Sequence, residues 1–138
     1  MASKFTTTWG EEISLPSANA GLDEVPIPLD TIEISGGDSL QNGTIIIGSS
    51  GVYNLSAMLN IKTFTGIGVG IIECRLMIND EEQATNAFQE EFLSPTQPTF
   101  SLSTTKTLSE GDEIKVVVYQ TTEVPLICDW AEINLLKV

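Results

Sequence analysis

Histidine is absent from this chain, and its absence limits the chemistry that the remaining residues can perform. Histidine is the usual general base, a common ligand of zinc and iron, and the side chain that titrates near neutral pH. Serine and threonine are plentiful, but no histidine is present to activate a hydroxyl nucleophile. We therefore expect a protein that is not an enzyme and that carries neither a catalytic site nor a cofactor.

Carboxylates are the next candidates, and the densest polar cluster runs from Asn79 to Glu82, with Glu90 and Glu91 placed to lie across a hairpin. Oxygen-rich loops of this kind can hold Ca²⁺, but the ligand spacing of a calcium loop is absent. Two acids flanking a cleft could also cleave a glycosidic bond, yet a chain with nineteen acids always offers such pairs. The pattern favours a solvated acidic turn and predicts no metal site.

The cysteines and tryptophans complete the set of residues that could react or bind. Cys74 and Cys128 are far apart in sequence and fit neither a zinc pattern nor a redox pair, so we expect buried free thiols. Trp9 and Trp130 could stack on a sugar, as in a carbohydrate-binding module. Trp130 adjoins an apolar final segment and is predicted in the core or an interface, whereas Trp9 has polar neighbours. A monomeric carbohydrate-binding β-sandwich stays open as an alternative.

Charge excludes two classes of partner. The chain has six Lys and Arg and nineteen Asp and Glu, which gives a net charge of −13. Phosphate backbones and anionic membranes should repel such a surface, so we expect neither nucleic-acid binding nor membrane insertion. The polar residues 1–9 do not resemble a signal peptide, and this favours export by assembly into a particle. With 41% hydrophobic and only 18% charged residues, an oligomer that hides one face is expected.

Alternation of apolar and polar residues is the signal that positions all these side chains. Residues 52–63 and 71–78 each place their apolar side chains on one face, as a strand that covers a core does. Residues 113–120 and 131–138 are also typical of strands, and residues 81–93 fit a strand better than a helix. The sequence predicts one all-β domain over residues 1–138, an antiparallel β-sandwich of about eight to ten strands.

Two less regular regions carry expectations of their own. Residues 6–15 are predicted to form the first strand, and the prolines that follow confine the next stretch to edge or irregular structure. Residues 66–70, which contain three glycines, are predicted to be a flexible loop before the strand at 71–78.

Three segments together resemble one family: residues 51–56, residues 108–116 with a Gly-Asp turn before valines, and the final strand at 130–136. They are similar to the tumour necrosis factor-like jelly roll that forms the globular head of the first complement component. The match runs over residues 44–138, and residues 1–43 fit loosely. The resemblance implies a jelly roll and a tight homotrimer. In that family the chain ends on a strand near the trimer centre, and the valine-rich strand lies close to the axis.

Apolar residues at outward positions of two strands indicate where subunits could meet. If Ile114, Val116 and Val118 face the core, then Val117 and Tyr119 point outward. The strand at 71–78 repeats the pattern, and Arg75 of one subunit could meet Glu73 of its neighbour, which would lessen the cost of burying either charge. The predicted trimer interface comprises Ile71, Glu73, Arg75, Met77, Val117, Tyr119 and Trp130.

These observations lead to an expected function. The resemblance implies a non-enzymatic homotrimer at a surface or in a virion, such as a phage fibre, a capsid-decoration protein or the head of a spore or cell-surface protein. Such a protein would act by recognising a protein or a glycan. The monomeric carbohydrate-binding module is the alternative.

Overall fold

The computed structural model describes residues 2–7, 13–15, 25–62, 68–92, 99–120 and 126–138. Within these residues the protein is all β, and its strands form two antiparallel sheets packed face to face. The strands in chain order are β1 (Ala2–Thr6), β2 (Ile13–Leu15), β3 (Val25–Pro26), β4 (Thr31–Ile34), β5 (Ser39–Gln41), β6 (Thr44–Ile46), β7 (Gly51–Lys62), β8 (Gly68–Ile78), β9 (Glu81–Phe92), β10 (Thr99–Leu108), β11 (Glu113–Gln120) and β12 (Leu126–Lys137).

The first sheet has the order β10-β7-β12-β1-β4, with β2 beside β12. The second sheet has the order β5-β6-β11-β8-β9, with β3 beside β11. The predicted antiparallel β-sandwich is therefore confirmed. Short β2 and β3 lie beside the two five-strand paths, so the described residues form twelve strands, more than the eight to ten that the sequence predicted.

The core lies between the sheets and is built from the apolar faces that the sequence predicted. On β7 these are Tyr53, Leu55, Ala57, Leu59 and Ile61, all buried, while the alternate residues as far as Met58 are exposed. The corresponding face of β8 is also buried, with Ile72, Cys74, Leu76 and Ile78. A strand pairs its neighbours with a period of two residues, so a shift of one residue would expose this whole set.

Three boundaries differ from the sequence prediction. The first strand is β1 at Ala2–Thr6, followed by β2 at Ile13–Leu15, rather than one strand over 6–15; residues 8–12 lie outside the described residues. Residues 68–70 belong to β8, because Gly68 and Gly70 pair with Phe92 and Glu90 of β9, and the hairpin extends the strand through glycines. Residues 63–67 lie outside the described residues. The last strand begins at Leu126, where β2 pairs with it.

A buried carboxylate joins β1 to two loops of the sandwich. Asp38 is 7% exposed and accepts hydrogen bonds from Ser3 Oγ at 2.7 Å and from the Gly48 N–H at 2.8 Å. Ser3 Oγ in turn accepts the Gly36 N–H at 2.9 Å. A Cβ on Gly48 would lie 1.9 Å from the Gly37 carbonyl oxygen, so only glycine allows the two loops to approach.

We predict that Asp38→Ala lowers the free energy of unfolding by roughly 1–3 kcal/mol, because the Gly48 N–H and the Ser3 hydroxyl lose their acceptor in a buried site. Chemical denaturation measures this change. Glu110→Ala, which removes an exposed carboxylate, is the control and should stay within about 0.5 kcal/mol of the parent. Equal effects of the two substitutions would contradict the structural role of Asp38.

Candidate self-association surface

The structure brings together most of the residues predicted to form a trimer interface. Arg75 of β8 lies opposite Val117 of β11, and Glu73 lies opposite Tyr119. Met77 lies one step further along β8, opposite Lys115. These side chains share the outer face of the second sheet. Trp130 is separated from them, because it lies on β12 in the first sheet. The side chain of Ile71 lies outside the described residues.

On the outer face of the second sheet, Glu73, Arg75 and Tyr119 contact one another within one chain. Arg75 Nη2 lies 2.7 Å from Glu73 Oε2, so the ion pair that was expected between subunits forms inside a single subunit. The Arg75 guanidinium also lies 4.9 Å from the centre of the Tyr119 ring, at the distance of a cation–π contact. Neither charge requires a neighbouring copy to compensate it.

Val117 points away from the core, as predicted, but it is not exposed on this face of the single chain. Val117 is 1% exposed and Met77 is 6% exposed in the single chain. Val117 lies opposite Arg75 of β8 on one side and opposite Pro26 of β3 on the other. The short β3 was not predicted from the sequence, and it supplies cover at this point. A role for these residues in a trimer stays a prediction, but a trimer is not needed to bury Val117 and Met77.

The outer face of the first sheet has a different character, because hydroxyl and amide side chains dominate its centre. We call this surface the neutral face and define it by Asn54, Ser56, Met58, Ser101, Ser103 and Asn134. The register places Ser56 between Ser103 of β10 and Asn134 of β12. At its edge Thr105 Oγ1 donates to Asn54 Oδ1 at 2.8 Å. None of the six carries a charge, in a chain with a net charge of −13.

Exposed apolar groups and two shallow grooves lie on and beside the neutral face. One groove of about 200 Å³ is lined by Met58, Ser101 and Ser103, among others. A second groove of about 330 Å³ contains Ile34 and Leu136, which are 53% and 48% exposed. Exposed apolar groups beside an uncharged centre are typical of a surface that contacts another protein.

One charged cluster borders the neutral face. Lys4 Nζ lies 3.2 Å from Glu33 Oε2 and 3.3 Å from Glu132 Oε2. A bulge positions Glu33, because Lys4 pairs with Ile34 and Phe5 pairs with Ile32, which leaves Glu33 as the additional residue of β4. Hydrogen bonds to Glu33 and then to Glu132 raise the pKa of the Lys4 ammonium. The cluster holds one cation and two anions.

The described residues contain no group of three or more Cys, Asp or Glu side chains arranged to hold a metal ion. The turn after β8 is acidic, but Asp80 Oδ1 pairs with Lys115 Nζ at 2.6 Å. Ser103 and Lys106 have the spacing of a serine–lysine pair, yet in a strand an odd spacing directs them to opposite faces. The described part of the chain also contains no helix that could cross a membrane.

The two cysteines are free thiols in the core, as predicted. Both are fully buried, Cys74 on β8 and Cys128 on β12. Burial raises the pKa of the Cys128 thiol to about 12 and raises the pKa of Cys74 as well. Neither thiol ionises near neutral pH, so neither acts as a nucleophile in the folded protein.

Comparisons with known proteins identify a fold. No family model and no curated protein matches the chain. Among solved structures, the chain is similar to the Eiger TNF of S. frugiperda, with a TM-score of 0.70 and 13% sequence identity over 100% of this chain and 92% of that one. At this identity the likeness establishes the architecture, so the protein is an all-β sandwich with the tumour necrosis factor-like fold.

The neutral face was not predicted, although the sequence contains a signal for it. The outward positions of residues 52–60 and 99–107 are Ser, Thr or Asn except at Val52 and Met58, and the alternation alone assigns such residues to solvent. The informative feature is the missing charge in a chain so rich in acids. It becomes visible only when β7, β10 and β12 are known to be neighbours.

We predict that neither thiol reacts with a disulfide reagent at pH 8 in the folded protein, because both are protonated and inaccessible. After denaturation without a reductant, both cysteines of each chain should react. Thiol counting before and after unfolding measures this. Rapid labelling of the native protein, or no labelled thiols after unfolding, would contradict the assignment.

Proposed function

We propose that this protein is a non-enzymatic binding domain that assembles as a homotrimer through the neutral face. The observation that carries the proposal is the uncharged centre of the first sheet in a chain with a net charge of −13. Identical chains of that charge repel one another, and a contact that buries unpaired carboxylates is costly. A surface of Ser, Asn and Met side chains avoids this cost and can form hydrogen bonds across the contact.

The position of β12 supports the same face. The resemblance to the tumour necrosis factor-like family implies a last strand near the trimer centre and a valine-rich strand near the axis. β12 lies between β7 and β1 in the first sheet, whereas the valine-rich β11 lies in the second sheet. One contact face cannot include both strands. On the second sheet the Glu73–Arg75 ion pair and the contact of Arg75 with the Tyr119 ring form within one chain, which favours β12 and the neutral face.

The biological setting is part of the proposal. A trimeric head of this fold fits a surface or virion component, such as a phage fibre, a capsid-decoration protein or a spore or cell-surface protein, that recognises a protein or glycan. The support is the resemblance in sequence pattern and the fold likeness to a TNF. The location of genes for other virion components next to its own gene would support the virion setting.

A monomeric carbohydrate-binding domain is the second candidate, and one observation favours it. The groove of about 200 Å³ is lined by Ser56, Ser101, Ser103 and Asn134, whose hydroxyl and amide groups could bind sugar hydroxyls. The two candidates use the same face in different ways. A monomer leaves this groove free, while a trimer covers it.

We predict a mass of three chains in native mass spectrometry and in light scattering. Ser56→Glu should dissociate the assembly, because three added charges would be buried at the contact. Ser39→Glu, on the exposed short strand β5, is the matched control and should leave the trimer intact. Circular dichroism confirms that each variant is folded.

Tyr119→Glu distinguishes the two faces. If the neutral face is the contact, this variant stays trimeric and loses the stacking of Arg75 on the ring. Dissociation by Tyr119→Glu but not by Ser56→Glu would place the contact on the second sheet. A wild-type protein with the mass of one chain would overturn the trimer and favour the sugar-binding candidate.

A further inference from the structure

We propose that the copies of this chain meet at one end of the first sheet, where Leu136 of each chain packs against the same end of its neighbours around the threefold axis. We call this part of the outer face the apolar end and define it by Ala2, Ile34, Val52 and Leu136. The inference rests on the proposed function, because it locates the axis of the proposed trimer on the same face.

The apolar end is a continuous patch across four neighbouring strands. Ala2 of β1 lies opposite Leu136 of β12, and Leu136 lies opposite Asn54 of β7, two residues from Val52. Ile34 of β4 lines the same groove of about 330 Å³ as Ala2 and Leu136. Ala2 is exposed, and Ile34, Val52 and Leu136 are 53%, 40% and 48% exposed in the single chain. The patch therefore leaves apolar surface in contact with water.

The neutral face is smaller than a stable contact between proteins. Such a contact buries about 800 Å² on each partner and includes about 20–30 residues of each. The contact must therefore extend beyond the residues that define the neutral face. On β12 the apolar end begins two residues after Asn134, at a distance of about 7 Å. Its groove also contains Asn54 and Ser56, so a copy on the neutral face reaches the apolar end without a break in the contact.

The other directions of extension are less favourable. Toward the far end of β7, Asn60 is only 7% exposed in the single chain, so it has little surface left to bury. Across β12 from Met58 lies Glu132, which pairs with Lys4, and burying charged side chains costs free energy. The side chains of the apolar end carry no charge, and removing them from water is favourable.

Threefold symmetry gives a second reason to place apolar side chains at the axis. A residue at the axis of a cyclic trimer meets two copies of itself. Charges of one sign repel one another there, whereas apolar burial has no preferred direction, so identical leucine side chains can pack together. Leu136 lies at the centre of the patch, between Asn54 and Ala2, and therefore fits this position.

The first test compares two isoleucines of β4 that have similar exposure. Ile34 pairs with Lys4 and lines the outer groove, whereas Ile32, 44% exposed, pairs with the core residue Phe5. Ile34→Ala and Leu136→Ala should each raise the concentration at which the trimer dissociates by at least about tenfold. Ile32→Ala is the matched control and should stay within about threefold of the wild type. Sedimentation equilibrium measures the dissociation, and circular dichroism checks that each variant is folded.

The second test uses cross-linking at the centre of the patch. In Leu136→Cys, a short bis-maleimide should link two chains of each trimer, because the introduced thiols of neighbouring copies adjoin at the axis. Ser39→Cys, on β5 in the second sheet, is the control and should not be cross-linked. The wild type should not be cross-linked either, because Cys74 and Cys128 are buried.

The two tests separate this inference from the proposed function. The inference is overturned, and the proposed function stays intact, by a trimer that Ser56→Glu dissociates but that meets two conditions. Ile34→Ala and Leu136→Ala weaken it no more than Ile32→Ala does, and Leu136→Cys gives no cross-linked chains. A wild-type protein with the mass of one chain would overturn the proposed function and this inference together.

Discussion

The register of β12 between β7 and β1 is the constraint on which both faces of the first sheet depend. Ile133 and Leu135 lie opposite Ala57 and Leu55 on the core side, so Asn134 must point outward opposite Ser56. A slip of one residue would expose the isoleucine and leucine and bury the asparagine, which would remove two apolar side chains from the core. The same pairing that closes the core therefore assembles the neutral face, and the two cannot be varied independently.

The outer faces of the two sheets differ in their distribution of charged side chains. On the second sheet Glu73 pairs with Arg75 beside the Tyr119 ring, and Asp80 in the turn after β8 pairs with Lys115. On the first sheet the centre of the outer face carries no charged side chain, and the Lys4–Glu33–Glu132 cluster lies at its border. A face that carries charged side chains suits water, whereas a charge-poor face with exposed Leu136 is the better candidate for a protein contact.

The sequence predicts the strands far better than it predicts what covers them. The inward faces of β7 and β8 follow directly from the period of two, because Leu55 and Leu76 must both be buried. Parity also shows that Val117 points away from the core. It does not show that Pro26 lies beside Val117, because a two-residue strand containing a proline leaves almost no pattern. The interface prediction did not include this cover, because the pairing of β3 with β11 is long-range and alternation does not encode it.

The first strand connects the buried network to the surface. Ser3 and Lys4 are consecutive residues, so the pleat directs Ser3 inward to Asp38 and Lys4 outward to Glu33 and Glu132. The outward ion pairs join β1 to β4 and β12. Lys4 lies at the border of the neutral face because β1 pairs in register with β12, where Lys4 is opposite Asn134. The Ser3–Asp38 hydrogen bond on the core side of the same strand supports that register.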